Sequence, residues 1–393
     1  MTTFGDEMRR LMAEQGVSLR GLAKRVHYDV GYLSKVANGR KPPSVELATA
    51  LDAALGADGA LTALAVAKER LPGTPLDPDT EERLRKAVQQ PRRVDTAVVD
   101  SLAVTLAAQR RLEDAIGSVP LVEPITTHLA VIEDLVRDAR GPLRPRVLDV
   151  AAQWAQFCGW LHTANGRLAP ARAWFDRASE WALEAGDRNM VATALSFKGH
   201  VAWLAGHVGP VIGLSQAAQR DRSVYVGQLT YDALQEARGH ALAGDRAAAE
   251  RKIGEAGELA ARTAEYDGEV PPWQYYRLPA FFALEQGLVY RYLGQEDPAS
   301  NQRAVDLLTA GLTGLPDEMR GAEWTGDYRC QLVLAHIQAD EPEQATAAAA
   351  EAAKIARETN SPRLIAQLQR LHARLAATWP TLPAVTDLGE HLA

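Results

Sequence analysis

Side chains able to bind a nucleic acid are concentrated in residues 18–44, SLRGLAKRVHYDVGYLSKVANGRKPPS. Ser18 is a typical helix N-cap, and Leu22 and Val26 follow it on one helical stripe. Asp29 offers a second N-cap, and apolar residues three apart form an inner face behind it. This spacing predicts two short helices joined by a tight turn, with the outward side chains of the second helix directed into the major groove of DNA.

The candidate DNA contacts divide by the chemistry of their side chains. Lys can bind guanine O6 and N7, Ser can donate or accept, and Tyr or Val can touch a thymine methyl. The outward residues of the second helix that could read bases in this way are Val30, Gly31, Tyr32, Ser34 and Lys35. Neighbouring residues are expected to contact phosphates, which fixes register without reading sequence. These are Ser18, Lys24, Arg25, Asn38, Arg40 and Lys41.

Further helices are predicted on both sides of this pair. A first helix is expected over residues 4–15, and Asn38-Gly39 predicts the end of the second motif helix, since either residue tolerates the left-handed conformation. Ser44 is expected to cap another helix, and an Ala/Leu-rich helix follows over residues 57–68. Residues 1–70, called the head below, are therefore predicted to form a five-helix domain.

Residues 4–66 resemble the phage-repressor-type (XRE) helix-turn-helix family. The matching residues are Ser18, Leu22, Ala23, Val26, Leu33, Ser34, Asn38-Gly39, Pro43-Ser44 and Leu47. The resemblance implies sequence-specific binding to double-stranded DNA. Two positions depart from the family pattern: Leu19 replaces a Gln that often helps to clamp DNA, and His27 replaces a Gly that is common in the turn.

The charge distribution fits a DNA-binding domain attached to a different kind of domain. The 393 residues carry a net charge of -7. Residues 1–55 contain eight Lys and Arg against six Asp and Glu, which leaves this part at +2 and the rest at -9. A small basic head on a large acidic remainder indicates that nucleic-acid contact is confined to the head.

Several other classes of protein receive no support. The sequence has no apolar run long enough to span a membrane and opens on the polar MTTFGDEMRR, so we expect a cytoplasmic protein. Cys158 and Cys330 have no CxxC partner and are expected to be buried hydrophobic residues. HExxH, P-loop, GxGxxG and GxSxG signatures are absent, so the sequence predicts neither an enzyme nor a bound metal or cofactor.

A proline-rich linker separates the head from the remainder. Residues 71–79, LPGTPLDPD, are too rich in proline for regular structure, and residues 80–90 are expected to form a short charged helix, so 71–93 are assigned as the connection. Residues 94–117 read as one long helix, either a connector or a dimer seam. Its a/d pattern is not sustained over three heptads, which favours a connector packed on the body, the name used below for residues 94–393.

The body is predicted to be an all-α solenoid of roughly five helical hairpins. Ala-rich amphipathic helices succeed one another, and small residues such as Gly159 recur where two helices of a hairpin would cross, with large residues such as Phe175 filling the gap. This pattern resembles tetratricopeptide (TPR) repeats, interrupted by PPWQYYRLPA at 271–280. Together with the head, the architecture resembles regulators that join an XRE domain to a TPR-like sensor, including the peptide-sensing group.

A solenoid groove is lined by the first helix of each hairpin. Its rings and hydrogen-bonding groups would suit a peptide or an amphipathic small molecule, with Arg238 and Arg291 available to an acidic group. The residues predicted to line the groove are Gln156, Trp160, Ser196, His200, Trp203, Arg238 and Arg291. The alternative places the two Trp rings in the core between repeats and pairs the arginines with nearby carboxylates.

The sequence thus predicts a cytoplasmic transcription regulator that binds a DNA operator as a homodimer. A peptide, small molecule or protein partner held by the body would set its activity. The alternative is a TPR-type interaction scaffold with weak or accessory DNA binding, which Leu19 favours.

Overall fold

The computed structural model describes residues 4–38, 41, 43–57, 59–62, 96–263, 266 and 268–392. Within these ranges every regular element is a helix and no strand occurs, so the predicted all-α fold is confirmed. The chain divides into two compact units, Met1–Pro75 and Leu76–Ala393, with the head in the first and the body in the second. The predicted linker and the charged helix over 80–90 lie outside the described residues.

Short helices around one apolar core form the head. They are α1 (Phe4–Glu14), α2 (Leu19–Val26), α3 (Val30–Ala37) and α4 (Val45–Leu55). Residues 60–62 are also helical, at the place of the predicted fifth helix, whose remaining residues after 62 are not described. Leu22, Leu33 and Leu51 are fully buried in the core between these helices. The two motif helices are therefore fixed by apolar contacts on their inner faces.

The predicted N-caps are confirmed in all three places. Ser18, Asp29 and Ser44 each accept a hydrogen bond from a backbone N–H in the first turn of the following helix. The turn between α2 and α3 is left-handed at His27, where φ is 56°. The XRE family often has Gly at this position. His27 therefore adopts a left-handed conformation that is unstrained for glycine but unfavourable for a residue with a Cβ atom.

The predicted end of α3 at Asn38-Gly39 is confirmed at Asn38. The helix ends at Ala37, but Asn38 has φ -95° and is not left-handed. Its side-chain amide instead donates to the carbonyl of Ser34 at 2.8 Å and satisfies one of the free carbonyls of the last turn. Gly39 lies outside the described residues.

Fifteen helices follow in the described part of the body. They are α5 (Thr96–Ile116), α6 (Val122–Asp138), α7 (Arg144–Ala164), α8 (Leu168–Ala185), α9 (Arg188–Leu204), α10 (Val208–Ala218), α11 (Val226–Leu242), α12 (Arg246–Thr263), α13 (Pro279–Leu293), α14 (Pro298–Gly314), α15 (Asp317–Arg320), α16 (Glu323–Gln338), α17 (Pro342–Glu358), α18 (Pro362–Thr378) and α19 (Pro383–Leu392). Five antiparallel hairpins are formed by α7 with α8, α9 with α10, α11 with α12, α13 with α14, and α16 with α17. None of these helices is long and apolar enough to cross a membrane.

The long helix predicted over 94–117 is α5, and it packs on the body. Val98, Leu102 and Leu106 are buried in the same apolar cluster as Trp154 of α7. The indole N–H of Trp154 donates to the carbonyl of Leu102 at 3.1 Å. The body itself therefore covers the apolar stripe of α5. Cys158 of α7 is buried and free, as predicted, and so is Cys330.

Close helix crossings depend on small residues, as the sequence pattern indicated. A Cβ atom at Gly159 of α7 would lie 2.5 Å from the ring of Phe175 in α8, and that ring is fully buried. At Gly199 of α9, a Cβ would lie 2.6 Å from the side-chain amide of Gln235. These glycines set how close α7 comes to α8, and α9 to α11, and thereby the spacing of the helices that face inward.

We expect Gly159→Ala to lower the melting temperature of the protein. Filling a closed contact of this kind costs about 1–3 kcal/mol, whereas alanine in an open helical position gains about 0.5–1 kcal/mol over glycine. Gly254 is the matched control, because it lies within α12 and a Cβ there meets nothing within 4 Å. Thermal unfolding followed by circular dichroism should show a lower midpoint for Gly159→Ala and a slightly higher one for Gly254→Ala. Equal midpoints would contradict the crossing role of Gly159.

Candidate functional site: nucleic-acid interface and body cavity

Helix α3 and the residues around it form the candidate nucleic-acid interface. Lys35 and Gly31 are exposed on α3, and Ser34 is half-buried. Val30 and Tyr32, which were predicted to face outward, are half-buried and also pack against the core of the head. Lys35 is therefore the side chain of α3 best placed to reach a base edge.

The basic side chains of the head fall into two groups with different surroundings. Lys24, Arg25 and Lys35 are exposed, and no carboxylate of the described residues lies within 4 Å of them. On α1, by contrast, Arg9 pairs with Asp6 at 2.6 Å, and Arg10 pairs with Glu7 and Glu14. Positive charge around α2 and α3 is thus left for an external anion, whereas that of α1 is neutralised locally.

The remaining predicted contacts have partners of their own or are not described. The Nζ atom of Lys41 lies 4.6 Å from the centre of the Tyr32 ring, which holds an exposed cation next to α3. The Ser18 hydroxyl accepts from the Gly21 N–H as a helix cap. Asn38 is bound to the Ser34 carbonyl, and Arg40 lies outside the described residues.

The body contains a cavity of about 120 Å³ on the inner side of the hairpins. It is lined by the first helix of every hairpin, namely α7, α9, α11, α13 and α16. Helices α5 and α18 and the segment Pro271–Leu278 complete its wall. Four of the eight Trp residues of the chain line this cavity: Trp160, Trp203, Trp273 and Trp324.

Five of the seven predicted groove residues line this cavity. They are Gln156, Trp160, His200, Trp203 and Arg238. The other two do not. Ser196 is fully buried and donates to Asp232, and the Arg291 guanidinium lies 3.8 Å from the centre of the Tyr292 ring.

Arg238 lines the cavity but is already neutralised. Its side chain is fully buried, lies 3.3 Å from Glu285 and donates to Gln235 at 2.9 Å. The guanidinium also lies 4.4 Å from the centre of the Trp203 ring. The expectation that Arg238 serves an acidic ligand is therefore not favoured, and the alternative of a paired arginine describes its surroundings.

His200 lies half-buried in the cavity wall as a neutral imidazole. Burial, together with the nearby positive charges of Arg238 and Arg363, lowers the pKa of His200 to about 3. Arg363 is itself bound by both oxygens of Asp327, each at 2.8 Å. His200 can therefore take part in hydrogen bonds but carries no charge near neutral pH.

The sequence interpretation missed the role of PPWQYYRLPA, which it took as an interruption of the repeats. Trp273 donates to Thr193 at 3.0 Å, and Gln274 donates to Gln228 at 2.8 Å. Tyr275 donates its hydroxyl hydrogen to Asp114 of α5 at 2.5 Å. The segment thus bridges α9, α11 and α5 and closes one side of the cavity. Its aromatic density in a non-helical stretch was the available signal.

Polar residues of α5 were also missed. Gln109, Arg110, Glu113 and Asp114 are all buried, although the sequence analysis considered only the apolar stripe of this helix. The last three line the cavity. Four buried polar residues within six positions indicate that a helix is covered on more than one side, a signal that a search for apolar periodicity passes over.

Comparison with known protein families gives a match in the head. Residues 3–65 match the helix-turn-helix domain family. No curated protein matches the chain. The head is thus a helix-turn-helix domain, which supports a DNA-binding regulator. The body lies outside this match and is interpreted from its structure.

We expect Arg238→Met to destabilise the protein by about 3–5 kcal/mol, because Glu285 would be left buried without a counter-charge. The double variant Arg238→Met with Glu285→Gln should recover most of this loss, since Gln removes the buried charge. Arg177→Met is the control, because Arg177 and Glu180 form an exposed pair and its loss should cost less than about 1 kcal/mol. Chemical denaturation of the four proteins measures these differences. If Arg238→Met were as stable as the parent protein, another group would have to compensate the charge of Glu285.

Proposed function

We propose that the protein is a transcription regulator that binds an operator sequence in double-stranded DNA through its head, as a homodimer, under control of a ligand held in the body cavity. The observation that carries the proposal is the set of exposed basic side chains around α3 that have no carboxylate partner among the described residues, within a domain that matches the helix-turn-helix family. Such side chains are suited to phosphate contacts and to one specific base contact.

The length of α3 supports the dimer. An eight-residue helix reads only a few base pairs, so one copy would discriminate poorly between sequences. Two heads on symmetric half-sites one helical turn apart would double the number of contacts and raise specificity accordingly. We therefore propose a two-fold symmetric operator.

The body supports a sensing role of the TPR-like kind. Inner helices of successive hairpins face one aromatic cavity, and small residues such as Gly159 set the crossing within a hairpin. A cavity assembled from many hairpins couples ligand contact to the spacing of those hairpins. We propose that ligand binding changes operator affinity through the body, in the manner of regulators that join an XRE-type head to such a sensor.

A protein-interaction scaffold is the second candidate. Leu19, at the position where the XRE family often has a DNA-clamping Gln, is half-buried and packs against the core of the head. It adds nothing polar to a DNA contact. In this alternative the body holds a protein partner, and the head contributes weak binding to any DNA.

The two candidates differ in specificity for DNA. Fluorescence anisotropy of the full chain with its own upstream DNA and with random duplex, across a salt series, measures this directly. The proposed regulator should prefer the upstream duplex by more than about a thousandfold, with a steep salt dependence. Equal weak affinity for both duplexes would favour the protein-interaction scaffold over the regulator.

Lys35→Ala and Lys24→Ala should weaken DNA binding in different ways. Lys35→Ala is expected to cost about 1–3 kcal/mol and to relax discrimination between operator variants, because it removes a base contact. Lys24→Ala should weaken all duplexes alike and lower the slope of log affinity against log salt by about one, because it removes a phosphate contact. Anisotropy titrations with the operator and with single-base variants at several salt concentrations give both quantities.

Arg10→Ala provides the matched control for these substitutions. Arg10 is a basic residue of the head that is already paired with Glu7 and Glu14. Its loss should leave affinity and salt dependence nearly unchanged. If Arg10→Ala weakened operator binding as much as Lys35→Ala does, the interface would not be centred on α3.

A further inference from the structure

We infer that the body cavity binds an organic cation, with its ammonium group at Glu113 and Asp114 of α5 and its aromatic part against the rings of the cavity wall. The inference rests on the proposed function, in which this cavity holds the controlling ligand, and it names the chemical class of that ligand. Glu113 is the central observation. Its side chain is 3% exposed and lines the cavity, and its Oε1 atom receives no hydrogen bond from the described residues.

The positive charges of the cavity are already compensated. Arg238 is paired with Glu285 at 3.3 Å, and both oxygens of Asp327 bind Arg363 at 2.8 Å. These pairs are internal to the wall. They place a carboxylate against each guanidinium, although the Nε atom of Arg238 donates no hydrogen bond within the described residues.

Arg110 is compensated in a different way. Its guanidinium lies 5.9 Å and 6.0 Å from the ring centres of Phe157 and Trp273, and it donates to the carbonyl of Gln153 at 3.3 Å. Aromatic faces attract a cation, so two rings and a carbonyl take the place of a carboxylate. Burial still lowers the pKa of Arg110 to about 10, which leaves it charged near neutral pH.

Within the described residues, the carboxylates of α5 have no cation in direct contact. No Lys or Arg nitrogen in the described part of the chain lies within 4 Å of Glu113 or Asp114. Burial raises the pKa of Glu113 well above its ordinary value, and the neighbouring negative charges of Asp114 and Glu323 raise it further, against one hydrogen bond from Trp160. Burial also raises the pKa of Asp114, against hydrogen bonds from Tyr275 and Trp324 and the more distant charge of Arg111. A cation at this end of the cavity would supply the missing counter-charge.

The rings next to these carboxylates determine the rest of the ligand. Tyr275 and Trp324 donate to the two oxygens of Asp114 at 2.5 Å and 3.3 Å, so both rings lie at the acidic end. Tyr276, Phe281 and Tyr328 continue the aromatic wall through ring contacts with Trp324. Ring faces attract an ammonium group, and ring edges and faces pack against another aromatic group. An arylalkylamine combines both parts.

The test uses the full chain and three sets of matched probes. Phenethylamine and tryptamine are the cations, phenethyl alcohol and tryptophol the neutral analogues, and 3-phenylpropionate and indole-3-propionate the anions. By isothermal titration calorimetry at pH 7 we expect at least one amine to bind at least tenfold more tightly than its alcohol and its acid. If no amine bound, or if an acid bound as tightly as the amine, the inference would be overturned.

Glu113→Gln tests the position of the ammonium group. The amine-to-alcohol ratio should fall several-fold, while alcohol affinity is kept, because Gln retains the shape of Glu113 and removes its charge, leaving Asp114 alone to attract the ammonium group. The variant should fold. Because the pKa of Glu113 is higher in the folded than in the unfolded protein, this group lowers the free energy of unfolding as the pH rises above the unfolded pKa. Gln does not ionise and removes this destabilisation. Its melting temperature should be no lower than that of the parent. Unchanged selectivity in the folded variant would overturn the inference.

Asp149→Asn is the matched control. Asp149 is a partly buried carboxylate of α7 that does not line the cavity, so its substitution should leave the amine-to-alcohol ratio unchanged. Equal loss of selectivity in both variants would show a general effect of charge, and would also overturn the site.

Operator binding with and without the tightest amine separates this inference from the proposed function. An amine that binds selectively but leaves operator affinity unchanged would establish the cation site and overturn control by this cavity. Specific operator binding without amine selectivity would overturn the cation site and leave the DNA-binding function standing.

Discussion

The structure of the body depends on compensating charges that its hairpins bury together. Arg238 and Glu285 are 0% and 2% exposed, and neither would be tolerated in the interior alone. Tyr328 also donates to Glu285, and Trp203 covers the Arg238 guanidinium. These groups come from α9, α11, α13 and α16, so a single buried pair fixes the inner helices of four hairpins. An apolar core could hold the same helices together but would permit more than one arrangement of them.

Local chemistry made much of the fold predictable. The caps at Ser18, Asp29 and Ser44 act within three residues, so the sequence alone defined the starts of α2, α3 and α4 to within one residue. The glycine at 159 could be recognised because hairpin partners are close in sequence. His27 shows the limit of this approach, since its left-handed turn is imposed by the packing of α2 on α3 and not by the preference of histidine.

The wall of the cavity could be predicted only in part, because its contacts join distant residues. Inner-helix positions such as Trp160 and His200 follow from the repeat pattern, and they line the cavity. Asp114, however, is held by Tyr275 and Trp324, which are 161 and 210 residues away in the chain. No periodicity connects such positions. For the same reason the sequence offered a carboxylate partner for Arg238 only as an alternative and could not identify it as Glu285, which is 47 residues away.

Charges without partners mean different things in the head and in the body. Lys35 is exposed, so water solvates its charge, and the absence of an ion-pair partner among the described residues has little effect on stability. Its charge remains available for phosphates or bases. Glu113 is buried without a counter-charge among the described residues, so its ionised form is unfavourable and the pKa of its carboxyl is raised. A ligand cation would allow Glu113 to ionise and would strengthen the inner wall that α5 shares with α7 and α16. Ligand binding would therefore stabilise the arrangement of hairpins around the cavity, which is what a sensor built from such repeats requires.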